Sequence, residues 1–309
     1  MEKSLDIVSI GECLLELSTN EYFENSKTFN VSFGGDALTS AVAAKHMGAR
    51  VGLITSIGDD YFKNKLLSEL RNEGLDLSNI RFCQEKNGIY LCGHNDRNEF
   101  VTYRRKVAGC CLALDESHNH EEYIKSTKAV YSTGIAQSLS IASSDLVKQT
   151  FEMARQNDVI TAYDPNYTSS FMTTYDTKGY LEDIIDNIDV LFLSLKNDVE
   201  SLYELSSAEK IINYFTDYGV KTIVVKSHED GGYYVYSNGK TEFCSFYVQC
   251  NSAHTMCAGD VFNGGFLAAM VSGHTAFESA KMAAKQSGMF IEKQGTIKDI
   301  PYLDEILEA

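Results

Sequence analysis

Proline is scarce in this chain of 309 residues: there are 2, and no serine- or proline-rich tract accompanies them. A flexible linker between independent domains is therefore not expected. Bases are also in short supply, 27 against 43 acids, for a formal charge of −16. That balance disfavours nucleic acid and anionic membrane as partners, but not a small anion held in a locally positive site. No CxxC pair occurs among the 8 cysteines, which argues against a zinc ribbon or a disulfide framework. Adjacent Cys110 and Cys111 are expected as small buried hydrophobes. His254 and Cys257 stand three apart like a metal-ligand pair, but no second pair accompanies them, so no metal centre is expected there. No apolar run is long enough to span a bilayer, and the first residues do not read as a signal peptide, so a cytoplasmic protein is expected. The GxGxxG and GxxxxGK[ST] patterns are both missing, which removes the dehydrogenase and P-loop readings.

What is present is a globular composition, with 44% hydrophobic residues and 23% charged ones. Buried strands are expected at Leu5–Ile10 and Val51–Ser56, with helices from Gly34-Gly35 to about Met47 and over Tyr61–Asn72. From Tyr123 onward strands and helices alternate. Strands are expected at Ala129–Thr133, Val159–Tyr163, Val190–Leu193 and Thr222–Val225, with helices at about Ser143–Gln156, Gly179–Asn187 and Ala208–Tyr218 between them. Such alternation implies a parallel sheet covered by helices on both faces. The short strands Cys13–Ser18 and Thr28–Phe33, and a hairpin of Ile89–His94 with Glu99–Lys106, do not fit that rhythm. They are expected to form a small separate sheet, a lid over the end of the main one, because sheets of this class bind ligands outside their strands' carboxyl ends. An antiparallel edge of the main sheet is the alternative.

One segment stands out for chemistry: His254-Thr255-Met256-Cys257-Ala258-Gly259-Asp260, followed at once by an apolar, helix-compatible run. Backbone N–H groups of Cys257, Ala258 and Gly259 would point outward at a helix N-terminus, where the helix dipole suits terminal phosphates. Asp260, on the first turn, could accept a proton from an attacking hydroxyl.

Four further patches would have to converge on it. Gly34-Gly35-Asp36-Ala37-Leu38-Thr39 allows close backbone approach to a ligand and offers Asp36 and Thr39 to sugar hydroxyls; a tight turn with Asp36 as helix cap is the plain alternative. Tyr103-Arg104-Arg105-Lys106, on a strand, would put Arg104 and Lys106 on one face, able to grip a carboxylate or phosphate, or else simply solvated. Asp164-Pro165-Asn166-Tyr167-Thr168 and Asn197-Asp198-Val199-Glu200 each follow a strand. Asn197 and Glu200, three apart at a helix start, could hold Mg2+ through its waters, or Asn197 could merely cap. Lys226 with Gly231 could wall a nucleotide base, although an exposed lysine is commonly no more than that.

In order and spacing these segments resemble the PfkB, or ribokinase-like, family of carbohydrate kinases over nearly the whole chain. Gly34-Gly35 to Gly48 is similar to its paired-glycine motif, the run ending at Ala258-Gly259-Asp260 to its D-T-x-G-A-G-D motif, and Asn197-x-x-Glu200 to its N-x-x-E magnesium motif. Phe33-Gly34-Gly35-Asp36-Ala37-Leu38, Tyr103-Arg104, Ala108-Gly109, Gly134-Ile135 through Leu139-Ser140 and Asp164-Pro165-Asn166-Tyr167 resemble the 2-keto-3-deoxygluconate kinases most.

The resemblance implies a single ribokinase-like α/β domain over 1–309. It would be a three-layer α/β/α fold with a mostly parallel central sheet, its lid drawn from about 12–33 and 87–107. It implies transfer of the γ-phosphoryl of ATP to a sugar hydroxyl with Asp260 as general base. Cys257, Ala258 and Gly259 would form the anion hole, with Gly34, Gly35, Asp36, Thr39, Tyr103, Arg104 and Asp164 at the sugar. Asn197, Lys226, His228 and Gly231 would lie at the nucleotide, with Glu200 toward Mg2+. Arg104 would face the acid group of the substrate. K+ and a homodimer through the lid are further features it raises. The family usually has Asn at the position of Thr39, Arg at Thr168, Gly at His228, Asp at His254 and Gly, sometimes Ala, at Cys257. A working sugar-acid kinase is thus the leading expectation; a kinase for a neutral sugar such as fructose or ribose, or a protein that binds sugar and nucleotide without transferring phosphate well, are the alternatives.

Overall fold

The computed structural model describes residues 3–97, 99–114, 119–247, 257–293 and 296–308. Thirteen strands among them make two sheets. The large sheet contains β1 (Leu5–Ile10), β4 (Val51–Gly58), β5 (Asp76–Cys83), β8 (Thr127–Thr133), β9 (Ile160–Asp164), β10 (Val190–Ser194), β11 (Thr222–Ser227), β12 (Gly232–Ser237) and β13 (Lys240–Ser245). The small sheet contains β2 (Leu14–Thr19), β3 (Asn30–Gly34), β6 (Gly88–Gly93) and β7 (Phe100–Tyr103).

The large sheet runs β13-β12-β11-β10-β9-β8-β1-β4-β5. Its seven strands from β11 to β5 are parallel, and β12 and β13 form an antiparallel edge. All six residues of β1, Leu-Asp-Ile-Val-Ser-Ile, are buried, as a strand covered on both faces requires. Successive side chains enter opposite cores. Ile7, Phe192 and Val224 pack with Phe262 and Phe266, whereas Val8, Leu191, Leu193 and Val225 pack with Phe151 and Phe215. Helices Asp36–His46, Ala258–Val271 and Ala276–Lys293 cover the first face; Ile141–Gln156 and Ala208–Thr216 cover the second. Phe192 and Phe266 meet edge to face at 5.4 Å, and each buried ring contributes about 1.5–3 kcal/mol.

Gly264 fixes how two of these helices meet. A Cβ there would lie 2.1 Å from the backbone oxygen of Ser40, so only glycine lets the Asp36 and Ala258 helices touch backbone to backbone. Ser40 Oγ then donates to the Asp260 carbonyl at 3.0 Å, tying the first turns of both helices together.

The expected α/β layering is what the chain adopts, and the irregular early strands do form a separate sheet, ordered β3-β2-β6-β7. Some boundaries differ for local reasons. The helix expected over Gly179–Asn187 instead spans Thr174–Glu182, because Thr173 Oγ1 accepts from the Asp176 amide and starts it earlier. The second strand of the hairpin stops at Tyr103, and Lys106 adopts a left-handed φ of +52°, so the strand face proposed for Arg104 and Lys106 does not exist. Residues Leu195–Glu200 form a wide π turn rather than an α-helix start. Cys110 and Cys111 are half-buried in a short 3-10 turn, not fully buried as expected.

Candidate active site

The carboxyl ends of β9, β10 and β11 point Asp164, Ser194 and Lys226 toward one edge of the large sheet. Lys226 Nζ lies 2.6 Å from Asp164 Oδ2, and Asn263 Nδ2 donates to the same oxygen at 2.7 Å. Asn263 also donates to Tyr131 OH at 3.1 Å. The other oxygen, Asp164 Oδ1, accepts from the Asn166 amide at 2.9 Å. With 1% exposure and both oxygens occupied, Asp164 braces Lys226 instead of reaching a sugar, which corrects the sugar contact expected of it. Burial alone would depress the Lys226 ammonium; Asp164, Asp198 and Asp260 more than offset that and hold it above its ordinary value.

Beside this cation begins the helix Ala258–Val271. Cys257 is its N-cap and stands at φ +61°, a left-handed conformation that glycine accepts and a Cβ resists. The first-turn N–H groups of Ala258, Gly259 and Asp260 have no acceptor within the helix. A Cβ on Gly259 would sit 3.6 Å from Lys226 Nζ, so the lysine borders this turn directly. The turn is thus positive twice over, from the helix dipole and from the ammonium. Asp260 keeps some solvent contact. Protein crowding around its carboxyl, then the charges of Asp36 and Asp164, push its pKa well above the usual carboxylate range, and Lys226 only partly opposes them. His254 lies outside the described residues.

On the opposite wall both paired glycines have packing reasons. A Cβ on Gly34 would meet Tyr90 OH at 2.1 Å, and one on Gly35, at φ +134°, would meet the Glu12 carbonyl at 2.5 Å. They accommodate neighbouring elements, which replaces the ligand-approach reason expected from the sequence. Gly35, not Asp36, is the N-cap, and Asp36 makes no capping bond. Its Oδ2 accepts from Asn166 Nδ2 at 3.3 Å, and its buried Oδ1 has no hydrogen bond among the described residues. Thr39 is buried beside Cys257 in one small cavity.

Arg104 is half-buried with its Nη1 3.1 Å from Glu12 Oε1 and its guanidinium 4.8 Å from the centre of the Phe171 ring. The pair is close but misaligned: neither Glu12 oxygen, nor Arg104 Nε, makes a hydrogen bond among the described residues. Burial, with a smaller push from Asp36, raises the Glu12 pKa to about 7 against the pull of Arg104. Tyr103, 63% exposed, points away to solvent, as do Arg105 and Lys106, so the three consecutive cations do not form one cluster.

The remaining candidates line the region after β10 and β11. Asn197 and Glu200 are exposed, with no side-chain hydrogen bond among the described residues, while Asp198 is buried and accepts from the Ser194 and Tyr167 amides at 2.6 and 2.9 Å. An exposed carboxylate fits a hydrated Mg2+, which keeps its own waters; Asp198 is a brace. The His228 ring meets Phe246 at 5.4 Å, and Phe246 meets Tyr233 at 5.0 Å, making an aromatic wall next to Gly231, whose α-hydrogen side is open. The Thr168 hydroxyl bonds that of Ser170, at 3.0 Å.

Sequence reading gave no role to Glu12, Asn166, Asp198 or Asn263. Asn263 is one helical turn beyond Asp260, a signal that was available; the other three become visible only once strands far apart in sequence lie side by side.

A locally positive helix N-terminus with a perturbed carboxyl on its first turn, at a parallel sheet's carboxyl edge, is suited to holding phosphates. The chain belongs to the pfkB family of carbohydrate kinases, which it matches over residues 4–303. It is 23% identical over 308 residues to an ATP-dependent 6-phosphofructokinase of Thermoanaerobacterium thermosaccharolyticum, covering 99% of this chain and 94% of that one. It is 25% identical over 315 residues to a 5-dehydro-2-deoxygluconokinase of Halalkalibacterium halodurans, covering 99% and 94%. Among solved structures, an E. coli protein described as Ribokinase II, in complex with ATP and Mg2+, superposes with a TM-score of 0.86 at 21% identity, covering 98% of each chain. The expected family and fold are thereby established. No helix among the described residues is long and apolar enough to cross a membrane.

Proposed function

We propose that this carbohydrate kinase phosphorylates a hydroxyl of a sugar acid of the 2-keto-3-deoxygluconate kind, using ATP. The observation that carries the reading is Asp260, whose raised carboxyl shares the first turn of its helix with free N–H groups and Lys226. In the reaction the sugar hydroxyl oxygen bonds to the γ-phosphorus as the bond from that phosphorus to the β-γ bridging oxygen breaks. Asp260 takes the hydroxyl proton, and ADP leaves with the bridging electrons. Lys226 and the N–H groups of Cys257, Ala258 and Gly259 offset the charge growing on the transferred group. Glu200 and Asn197 would hold Mg2+ through its waters, and the ion would supply further neutralisation.

Asp36 and Thr39 would bind sugar hydroxyls with Gly34 and Gly35 behind them. Arg104 would meet the acid group, and His228 and Gly231 would border the base. The small sheet would act as a lid within one domain spanning 1–309. Its exposed Val31, Phe100, Val101 and Tyr103 support pairing with a second copy through that sheet. K+ as a second cation and a cytoplasmic setting complete the proposal. A panel of sugar acids, neutral sugars and sugar phosphates, followed by ADP release, tests it. Preference for a sugar acid supports the reading, and preference for fructose or ribose overturns its substrate half.

A second reading, ligand binding without useful turnover, draws on Cys257. Its left-handed backbone stores about 1–3 kcal/mol at the phosphate turn, and a misplaced contact there costs a hundred- to a thousandfold in rate, about 2.7–4 kcal/mol. Calorimetric binding of ATP and sugar with no ADP formed would favour that reading.

A further inference from the structure

On the small sheet, β2 and β6 run parallel with Glu16 opposite Tyr90 and Ser18 opposite Cys92. Tyr90, Cys92 and His94 alternate by two and so share one face, and Glu16 projects from the same side of β2. A carboxylate oxygen of Glu16, Cys92 Sγ and a ring nitrogen of His94 all lie within 4.8 Å of one another. The Sγ to Nε2 distance is 3.8 Å. A tetrahedral zinc with bonds of about 2.3 Å to sulfur and 2.0–2.1 Å to nitrogen spaces those two atoms by roughly 3.6 Å, so the edge is already nearly the right length. These residues line a cavity of about 20 Å³ shared with Cys257 and Thr39, room for one ion.

A second observation points the same way. Glu16 is 5% exposed, and although Tyr90 OH bonds one of its oxygens, Oε1 has no hydrogen bond among the described residues. The Ser18 hydroxyl is near the carboxylate but makes no aligned hydrogen bond to it. A buried, unsatisfied carboxylate oxygen beside a thiol and an imidazole is costly unless a cation or proton meets it.

We infer that Glu16, Cys92 and His94 form a site for a thiophilic divalent cation of the zinc class, three protein ligands with solvent at the fourth position. The donor set selects this class over Mg2+ or Ca2+, which take oxygen. As the sulfur–metal bond forms, the Cys92 thiol gives its proton to solvent. The site shares no residue with Asn197 or Glu200. With Glu16 on β2 and Cys92 on β6, the metal would clamp these two strands together.

Titration of the full chain with Co2+, without nucleotide or sugar, tests the site. One equivalent of Co2+ should bind with a near-ultraviolet sulfur-to-cobalt band and the strong visible bands of tetrahedral cobalt, and Zn2+ should displace it. Cys92→Ser should weaken Co2+ binding at least about tenfold, as loss of metal-site residues commonly does, and abolish the ultraviolet band. Cys110→Ser should change nothing. Should Cys92→Ser not fold, His94→Ala at the half-buried position serves, with the same loss of affinity expected. Absence of the ultraviolet band, or a band and affinity unchanged in Cys92→Ser or His94→Ala, would overturn the site. The readout is independent of sugar phosphorylation.

Discussion

Arg104 Nη1 stands 3.1 Å from Glu12 Oε1, so the guanidinium proposed to meet a substrate acid already has an acid beside it. The two compete, and pH decides the winner. Burial raises Glu12 to about 7. Below that pH it is protonated, leaving the Arg104 charge uncompensated; above it the carboxylate neutralises the arginine.

Affinity for a sugar acid should therefore weaken as pH rises from 6 to 8, on the order of tenfold, the equivalent of one pKa unit. In Glu12→Gln it should stay tight and flat over that range. Calorimetry without nucleotide reads both, and a wild-type affinity independent of pH would count against the pairing.

Arg104→Ala should weaken a sugar acid far more than a neutral sugar, by a ratio of KM values of at least about tenfold, the scale of a charge-assisted contact. Equal losses on both would remove the case for an acid substrate.

Lys226→Met leaves Asp164 buried without its cation, at a cost of about 3–5 kcal/mol in urea unfolding. Adding Asp164→Asn to that variant should restore part of the stability. No recovery would mean the pair is not what holds this corner.

Cys257→Gly should be more stable than Cys257→Ala by about 1 kcal/mol, because both lose the sulfur but only alanine keeps the left-handed strain. Thermal melting of the pair of variants is sufficient. Alanine equal to glycine would show that the turn relaxes without strain.

Gly264→Ala should cost about 1–3 kcal/mol by overpacking, since its Cβ would meet the Ser40 carbonyl at 2.1 Å. Turnover should fall with stability, because the Asp36 and Asp260 helices would be driven apart. Unchanged melting would show that the helices can separate freely.

The sheet was legible because strands buried on both faces read as unbroken apolar runs, as in Val190–Ser194 and Thr222–Ser227. The Asp260 turn was legible because small residues before an acid and an apolar helix are a local signal. Lys226 and Asp164 were each visible, but their bond was not, since 62 residues separate them. Glu12 looked like any residue after a strand until Arg104 folded against it. The helix at Thr174 was hidden by Gly179 in its middle, although Thr173 and Asp176 carry its start signal. Gly34 and Gly35 were found for the wrong reason, because the atoms that require glycine come from Tyr90 and Glu12 elsewhere in the chain.

Asp260→Asn is the most direct trial of the central claim. With the preferred sugar and saturating ATP and Mg2+, single-turnover ADP formation should fall roughly 10²–10⁴-fold, the usual share of a general base, while ATP binding by calorimetry stays within about twofold. Wild-type turnover in that variant would contradict the account.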